Sequence, residues 1–186
     1  MNSFALDYIN RLTTTLKTID IGAIEEIIQV LENLEGKIYI IGNGGSAATA
    51  SHMVNDLGAG LRRRDIKNFD VESLSDNTPV CTAIANDIGY ENIFYMQLKG
   101  RLSKNDLLIA FSCSGNSQNI IKAVNHAKEL ETPVLGITGF DGGALKKLSD
   151  INFHVQTKKE EYGIVEDVHM ILNHIIYSYY ISKGSS

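Results

Sequence analysis

Tryptophan is absent from this chain, cysteine and proline occur twice each, and histidine only five times in 186 residues. Each scarcity excludes something. Cys81 and Cys113 are too few for a disulfide framework and lie in no C-x-x-C spacing, which points to a reducing compartment or simply to cysteine used as a small apolar residue. With 44% hydrophobic residues and only two prolines, collagen-like and disordered chains are excluded as well. Basic charge is in deficit: 17 lysines and arginines face 22 acidic residues, for a net charge of −5. No overall positive field exists to collect nucleic acid or anionic lipid, and an anionic ligand must be held by local geometry. No apolar run approaches the ~20 residues of a membrane span, and Met1-Asn2-Ser3-Phe4 lacks the basic region and apolar core of a signal peptide. The expectation is a cytoplasmic protein with neither membrane nor nucleic-acid partners.

A chain of this length suits one domain, able to bury about 70% of its unfolded surface. Residues 1–34 read as two helices. Phe4, Tyr8, Leu12 and Leu16 form one apolar stripe, and Ile24, Ile27, Ile28 and Leu31 another, each of which must cover the sheet or a second subunit. From Lys37 the pattern changes to short continuous apolar runs at 38–41, 107–111 and 134–137, with weaker ones at 69–71 and 151–155. Runs of this kind mark buried parallel strands. Helical patterns fill the gaps, so a doubly wound α/β sheet of about five parallel strands is expected, with ligands at the strands' carboxyl ends. A long, mostly buried helix from Ile164 to about Ile181 closes the pattern. Arg62-Arg63-Arg64 reads as a solvated loop, or as a reach toward a ligand phosphate.

Two strand-end loops carry the ligand signal. Gly42-Asn43-Gly44-Gly45-Ser46-Ala47 follows a strand and opens a helix, which suits close backbone approach to an anion. The same residues fit a loose dinucleotide fingerprint, with Asp65 at the expected distance for a ribose. Phe111-Ser112-Cys113-Ser114-Gly115-Asn116-Ser117 separates the two readings, because it brings three hydroxyls and several amides to another helix start. Hydroxyls donate to phosphate oxygens without adding charge. Asn116 or Ser117 serving only as an N-cap is the competing reading. An N-cap needs one such residue, and a dinucleotide fold needs no second cradle, so one phosphomonoester is the better account.

These paired motifs resemble those of the sugar isomerase (SIS) domain proteins and, among them, the phosphoheptose isomerases. Ala85-Asn86-Asp87-Ile88-Gly89-Tyr90-Glu91-Asn92-Ile93-Phe94 and Leu135-Gly136-Ile137-Thr138-Gly139-Phe140-Asp141-Gly142-Gly143 look like two further family segments. The resemblance covers nearly the whole chain. It implies a single SIS domain over 1–186, with N-terminal helices at 1–34 and a core with C-terminal helix at 37–183. The implied fold is flavodoxin-like, in three α/β/α layers, and the implied assembly is a homotetramer with active sites between subunits. The implied ligand is a sugar phosphate, bound through Asn43, Gly44, Gly45, Ser46, Ser112, Cys113, Ser114 and Ser117, with Asn86 and Asp87 on sugar hydroxyls.

Aldose–ketose isomerisation needs a base, an acid and stabilisation of an enediolate. His52 and Asp56 lie four apart in the helix after the glycine loop and project from one face. In the last helix Glu166, Asp167, His169 and His174 interrupt an apolar pattern. Rotation at ~100° per residue pairs Asp167 with His174, whereas Glu166 and His174 stand about 80° apart. The resemblance instead favours His52, Asp56, Glu166 and His174 as the ligands of one zinc per subunit, with Asp56 as general base, His174 as general acid and Glu166 also touching substrate. Four departures from the family stand out: Asp56 replaces a glutamate, Glu166 a glutamine, and Gly163 and Gly60 replace an aspartate and an arginine. The leading expectation is conversion of sedoheptulose 7-phosphate to D-glycero-D-manno-heptose 7-phosphate, supplying heptose for surface polysaccharide. Isomerisation of another ketose phosphate is the alternative, or a non-catalytic sugar-phosphate-binding module.

Overall fold

The computed structural model describes residues 2–184. Five parallel strands form one sheet: β1 (Ile38–Ile41), β2 (Val71–Ser73), β3 (Leu107–Ser112), β4 (Val134–Phe140) and β5 (Ile151–Gln156), in the order β2-β1-β3-β4-β5. Register pairs Ile38 with both Val71 and Leu107, Leu108 with Val134, and Leu135 with Ile151. Side chains alternate across the pleat. Ile38 and Ile40 therefore join one core with Leu107, Ile109 and Phe111, while Tyr39 and Ile41 join the other with Leu108 and Ala110. Burial on both faces is why these strands are continuous apolar runs.

The first core is covered by α2 (Ile21–Asn33), α3 (Gly45–Val54) and α8 (Tyr162–Gly184), and the second by α5 (Tyr95–Leu98) and α6 (Gln118–Glu129). Asp20 caps α2 by accepting from the Ala23 amide at 3.3 Å. The α2 stripe of Ile24, Ile27 and Leu31 is buried under the sheet. Only part of the stripe of α1 (Asn2–Leu16) is covered: Leu12 and Leu16 pack on the core, whereas Phe4 is 70% exposed. α4 (Thr78–Ile88) has no buried residue at all.

The edge strand lies at 71–73 instead of 69–71, because pairing with Ile38 starts at Val71 while the Asp70 carbonyl accepts from the Ile38 amide. β4 runs three residues beyond the expected 137, as its pairing with β5 continues to Phe140. The chain leaves β1 for the edge and returns past it to β3, so the topological switch lies between β1 and β3. Their carboxyl ends open on the crevice where such sheets bind ligands.

Candidate active site

The loop after β1 needs its glycines. A Cβ on Gly42 would sit 2.6 Å from the Ser46 carbonyl oxygen, and Gly44 has φ +55°. The Asn43 side chain points across the crevice and exchanges two hydrogen bonds with Asn119 at the start of α6, 3.0 and 2.8 Å, while the Tyr90 hydroxyl donates to its oxygen at 2.9 Å. Asn43 thus clamps the two strand-end loops together. Asn119 did not stand out in the sequence, and Tyr90 did so only as part of the 85–94 segment, since their signal is a pairing between distant segments.

The loop after β3 is closed on itself. Ser112 Oγ accepts from the Gly115 amide at 3.1 Å, and Ser114 Oγ accepts from the Asn116 amide at 3.3 Å. Gly115 has φ +62° and faces the Gly142 carbonyl so closely that a Cβ would fall 2.0 Å from its oxygen. Asn116 Oδ1 accepts from the Ala144 amide at 3.0 Å, which ties in the loop after β4 and α7 (Gly143–Leu148). Ser117 stands at the N-cap position of α6 without making a side-chain cap bond. Its hydroxyl instead lines a cavity of about 140 Å³ together with Ser46, Ser112, Cys113, Ser114 and Glu166. Asn43 and Tyr162 complete its rim. Burial, reinforced by the Glu166 charge, pushes the Cys113 thiol up to about 11, so it stays protonated.

The second centre lies further along the helix that leaves the glycine loop. After Val54 the helix widens into a π-helical turn over Asn55–Gly60. Sequence spacing alone implies an ordinary helix here. Gly58 and Gly60 are poor helix formers, and the wider turn buries Asp56, Leu57 and Gly58 in succession. Asp56 is 6% exposed, and its Oδ2 lies 3.3 Å from His52 Nε2. His174, from α8, places its Nε2 3.1 Å from that of His52. One ligand atom from each of His52, Asp56 and His174 falls within 4.8 Å of the others. The two ring nitrogens can share one N–H as donor and acceptor, or both turn a lone pair to a cation beside the carboxylate. Two imidazoles and a carboxylate with an open position are a donor set that fits zinc.

Other expected site residues lie elsewhere. Glu166 is outside the His52–Asp56–His174 group; it packs against Gly45, where a Cβ would meet its carboxylate at 2.3 Å. Burial, with Asp167 adding to it, pushes its carboxyl above the usual range. Asp167 does not pair with His174 as rotation alone implied; it accepts from the Tyr8 hydroxyl of α1 at 2.7 Å, which pushes that phenol up to about 12. Asn86 and Asp87 are exposed on α4 and hydrogen-bonded to each other at 2.9 Å, away from the cavity. Gly163 and Gly60 are packed by tyrosines: their Cβ positions fall 2.9 Å from the Tyr8 hydroxyl and 3.1 Å from Tyr177 Cε2. Arg62 and Arg64 brace their own segment through Asn68 and the Gly60 carbonyl and do not line the cavity. His169 is a core residue, donating from Nε2 to the Thr138 carbonyl at 3.2 Å. Asn173, fully buried beside Asp56, went unremarked in the sequence because an asparagine before a histidine has no distinctive spacing.

Comparison with known proteins agrees with this geometry. Residues 4–139 match the SIS domain family. A phosphoheptose isomerase of Helicobacter pylori (strain Shi470) is 42% identical over 150 residues, covering 81% of this chain and 76% of the relative. A probable phosphoheptose isomerase of Thermoplasma volcanium is 34% identical over 175 residues, 92% of this chain and 88% of that one. The solved phosphoheptose isomerase GmhA from Neisseria gonorrhoeae superposes with a TM-score of 0.86 at 26% identity, covering 97% and 98% of the two chains. A crevice at the β1/β3 switch, a hydroxyl-lined cavity, and sequence likeness over four-fifths of the chain converge: this protein belongs to the SIS domain family and, within it, to the phosphoheptose isomerases.

Proposed function

We propose that the protein interconverts sedoheptulose 7-phosphate and D-glycero-D-manno-heptose 7-phosphate, supplying heptose for surface polysaccharide. The observation that carries this reading is the presence of two unlike polar centres built on the same pair of helices, α3 and α8. One is a cradle of four serine hydroxyls, suited to a phosphate; the other is the His52–Asp56–His174 group, suited to proton transfer. Asp56 removes the proton from C1 of the ketose, and the carbonyl oxygen at C2 receives a proton from His174. Return of a proton to C2, with loss of the C1 hydroxyl proton, completes the aldose. Zinc held by His52, Asp56 and His174 would supply stabilisation of the negative oxygens of the enediolate. Ser112, Ser114 and Ser117 orient the phosphate, while Gly44, Gly45 and Ser46 shape the floor beside it. Cys113, protonated, contributes only packing there.

The exposed residues of α1 and α4, with Phe4, Leu6, Ile9 and Ile88 between 48% and 70% exposed, support assembly into a homotetramer. In such an assembly Asn86 and Asp87 would serve a neighbouring subunit's site. Both cysteines are free, which supports a reducing, cytoplasmic location, and no helix among the described residues is long and apolar enough to cross a membrane. The test is exchange of the C1 proton with deuterated water, followed by NMR on the zinc-loaded protein with a panel of ketose phosphates. Exchange with sedoheptulose 7-phosphate that disappears in Asp56→Asn and His174→Gln is the expected result. Binding without exchange would replace this reading by a non-catalytic module, and exchange only with another ketose phosphate would reassign the substrate.

A further inference from the structure

Asp56 has a shorter arm than glutamate by one methylene, and a base displaced by about 1 Å loses on the order of a hundredfold in rate. What holds its carboxylate therefore matters. Oδ1 accepts from Asn55 Nδ2 at 3.1 Å, but Asn55 belongs to the same π-helical turn and moves with it. Oδ2 accepts from Asn173 Nδ2 at 2.8 Å, and Asn173 comes from α8. It is wholly buried, between Leu172 and His174, in a helix whose other buried residues are apolar except His169 and the tyrosine Tyr180.

Packing does not explain an amide at this place. A leucine would keep the same branched outline, whereas the buried Asn173 Oδ1 has no hydrogen-bond partner and that costs free energy. Only the amide nitrogen can face a carboxylate, so the bond also fixes which way the amide points. Because Asn173 precedes His174, the same bond ties the turn carrying the base to the helix carrying the acid. We propose that Asn173 is the positioning residue of the Asp56 carboxylate, holding this short base at its working distance from His174. The proposal rests on the reading of Asp56 and His174 given above.

The test is a double-mutant cycle in the full-length protein between Asn173→Leu and Asp56→Glu, with melting temperature followed throughout. Asn173→Leu should lower kcat by about 10- to 100-fold and weaken zinc binding, measured by calorimetry, by a similar factor. KM should move by less than about threefold, since only an interaction made beside the reacting carbon is lost. In the Asp56→Glu background the longer arm reaches without help, so the further loss on adding Asn173→Leu should fall below about threefold. If Asn173→Leu does not fold, Asn173→Ala is read in the same way. Equal losses in both backgrounds, or unchanged kcat and zinc affinity in Asn173→Leu beside an inactive Asp56→Asn, would overturn the proposal alone. An active Asp56→Asn would overturn the catalytic reading and this proposal with it.

Discussion

Replacing Glu166 by glutamine removes a charge from the wall of the serine-lined cavity, the proposed phosphate cradle, and leaves its shape. The Glu166 carboxylate lies against Gly45, the first residue of α3, and borders the cavity that Ser112, Ser114 and Ser117 line. A cavity of 140 Å³ is about 3 Å in radius, so an anion inside lies roughly 5 Å from that carboxylate, where repulsion is about 1 kcal/mol at a dielectric of 80 and about 3 kcal/mol at 20. Glu166→Gln should therefore tighten binding of inorganic phosphate at pH 8 by about 5- to 150-fold for each unit of its charge. Burial holds the Glu166 carboxyl above its ordinary range. As pH falls through that raised value the wild type becomes neutral there, and its disadvantage shrinks. Phosphate is largely dianionic at pH 8 and monoanionic at pH 5, which weakens its repulsion from Glu166 in the same direction as protonation does, so the ratio of dissociation constants, taken by calorimetry at pH 8 and pH 5, should fall toward one. A ratio near one at both values would refute the reasoning, because it would place the bound anion away from Glu166.

Gly115→Ala should cost at least about 1–2 kcal/mol from its left-handed backbone alone, with the Gly142 carbonyl 2.0 Å from the new Cβ adding to that. Urea unfolding measures it, and a loss under about 0.5 kcal/mol would show that the loops after β3 and β4 can separate freely. His169 is 1% exposed, and burial pushes its imidazole down to about 4 from an ordinary 6.5. The unfolded chain thus binds a proton between these values that the folded chain refuses. Its contribution is complete above about pH 6.5 and falls by up to about 3 kcal/mol as pH drops toward 4. Urea midpoints from pH 7.5 to 4.5 should fall more steeply in wild type than in His169→Leu, and parallel curves would contradict the assignment.

Much of the sheet was readable because a strand buried on both faces has to be a short run of apolar residues; 38–41, 107–111 and 134–137 satisfy that condition. The edge strand was misplaced by two residues, since its start is decided by what Ile38 pairs with. Ser117 shows the same division within the site. Its type and place before α6 announced a helix start, but whether its hydroxyl would cap the helix or face a cavity depended on the neighbouring loops. Rotation along an ideal helix chose Asp167 over Glu166 as a partner for His174, and neither joins it, because Tyr8 takes Asp167 and Gly45 receives Glu166.

By itself, then, the amino-acid order determined the α/β class, the five strands, the two glycine- and serine-rich strand-end loops and the polar residues available for chemistry. Periodicity, glycine and hydroxyl side chains act within a few residues of one another, so their consequences are local and legible. The tertiary structure alone decided which polar residues meet. His52, Asp56 and His174 come together across more than a hundred residues of chain, and Asn173 reaches Asp56 across the same interface. Those meetings depend on the depth at which α8 packs against α3 and on the π-helical turn that faces Asp56 inward. Both are set by the packing of two helices on one face of the sheet, and no local pattern encodes the distance between them.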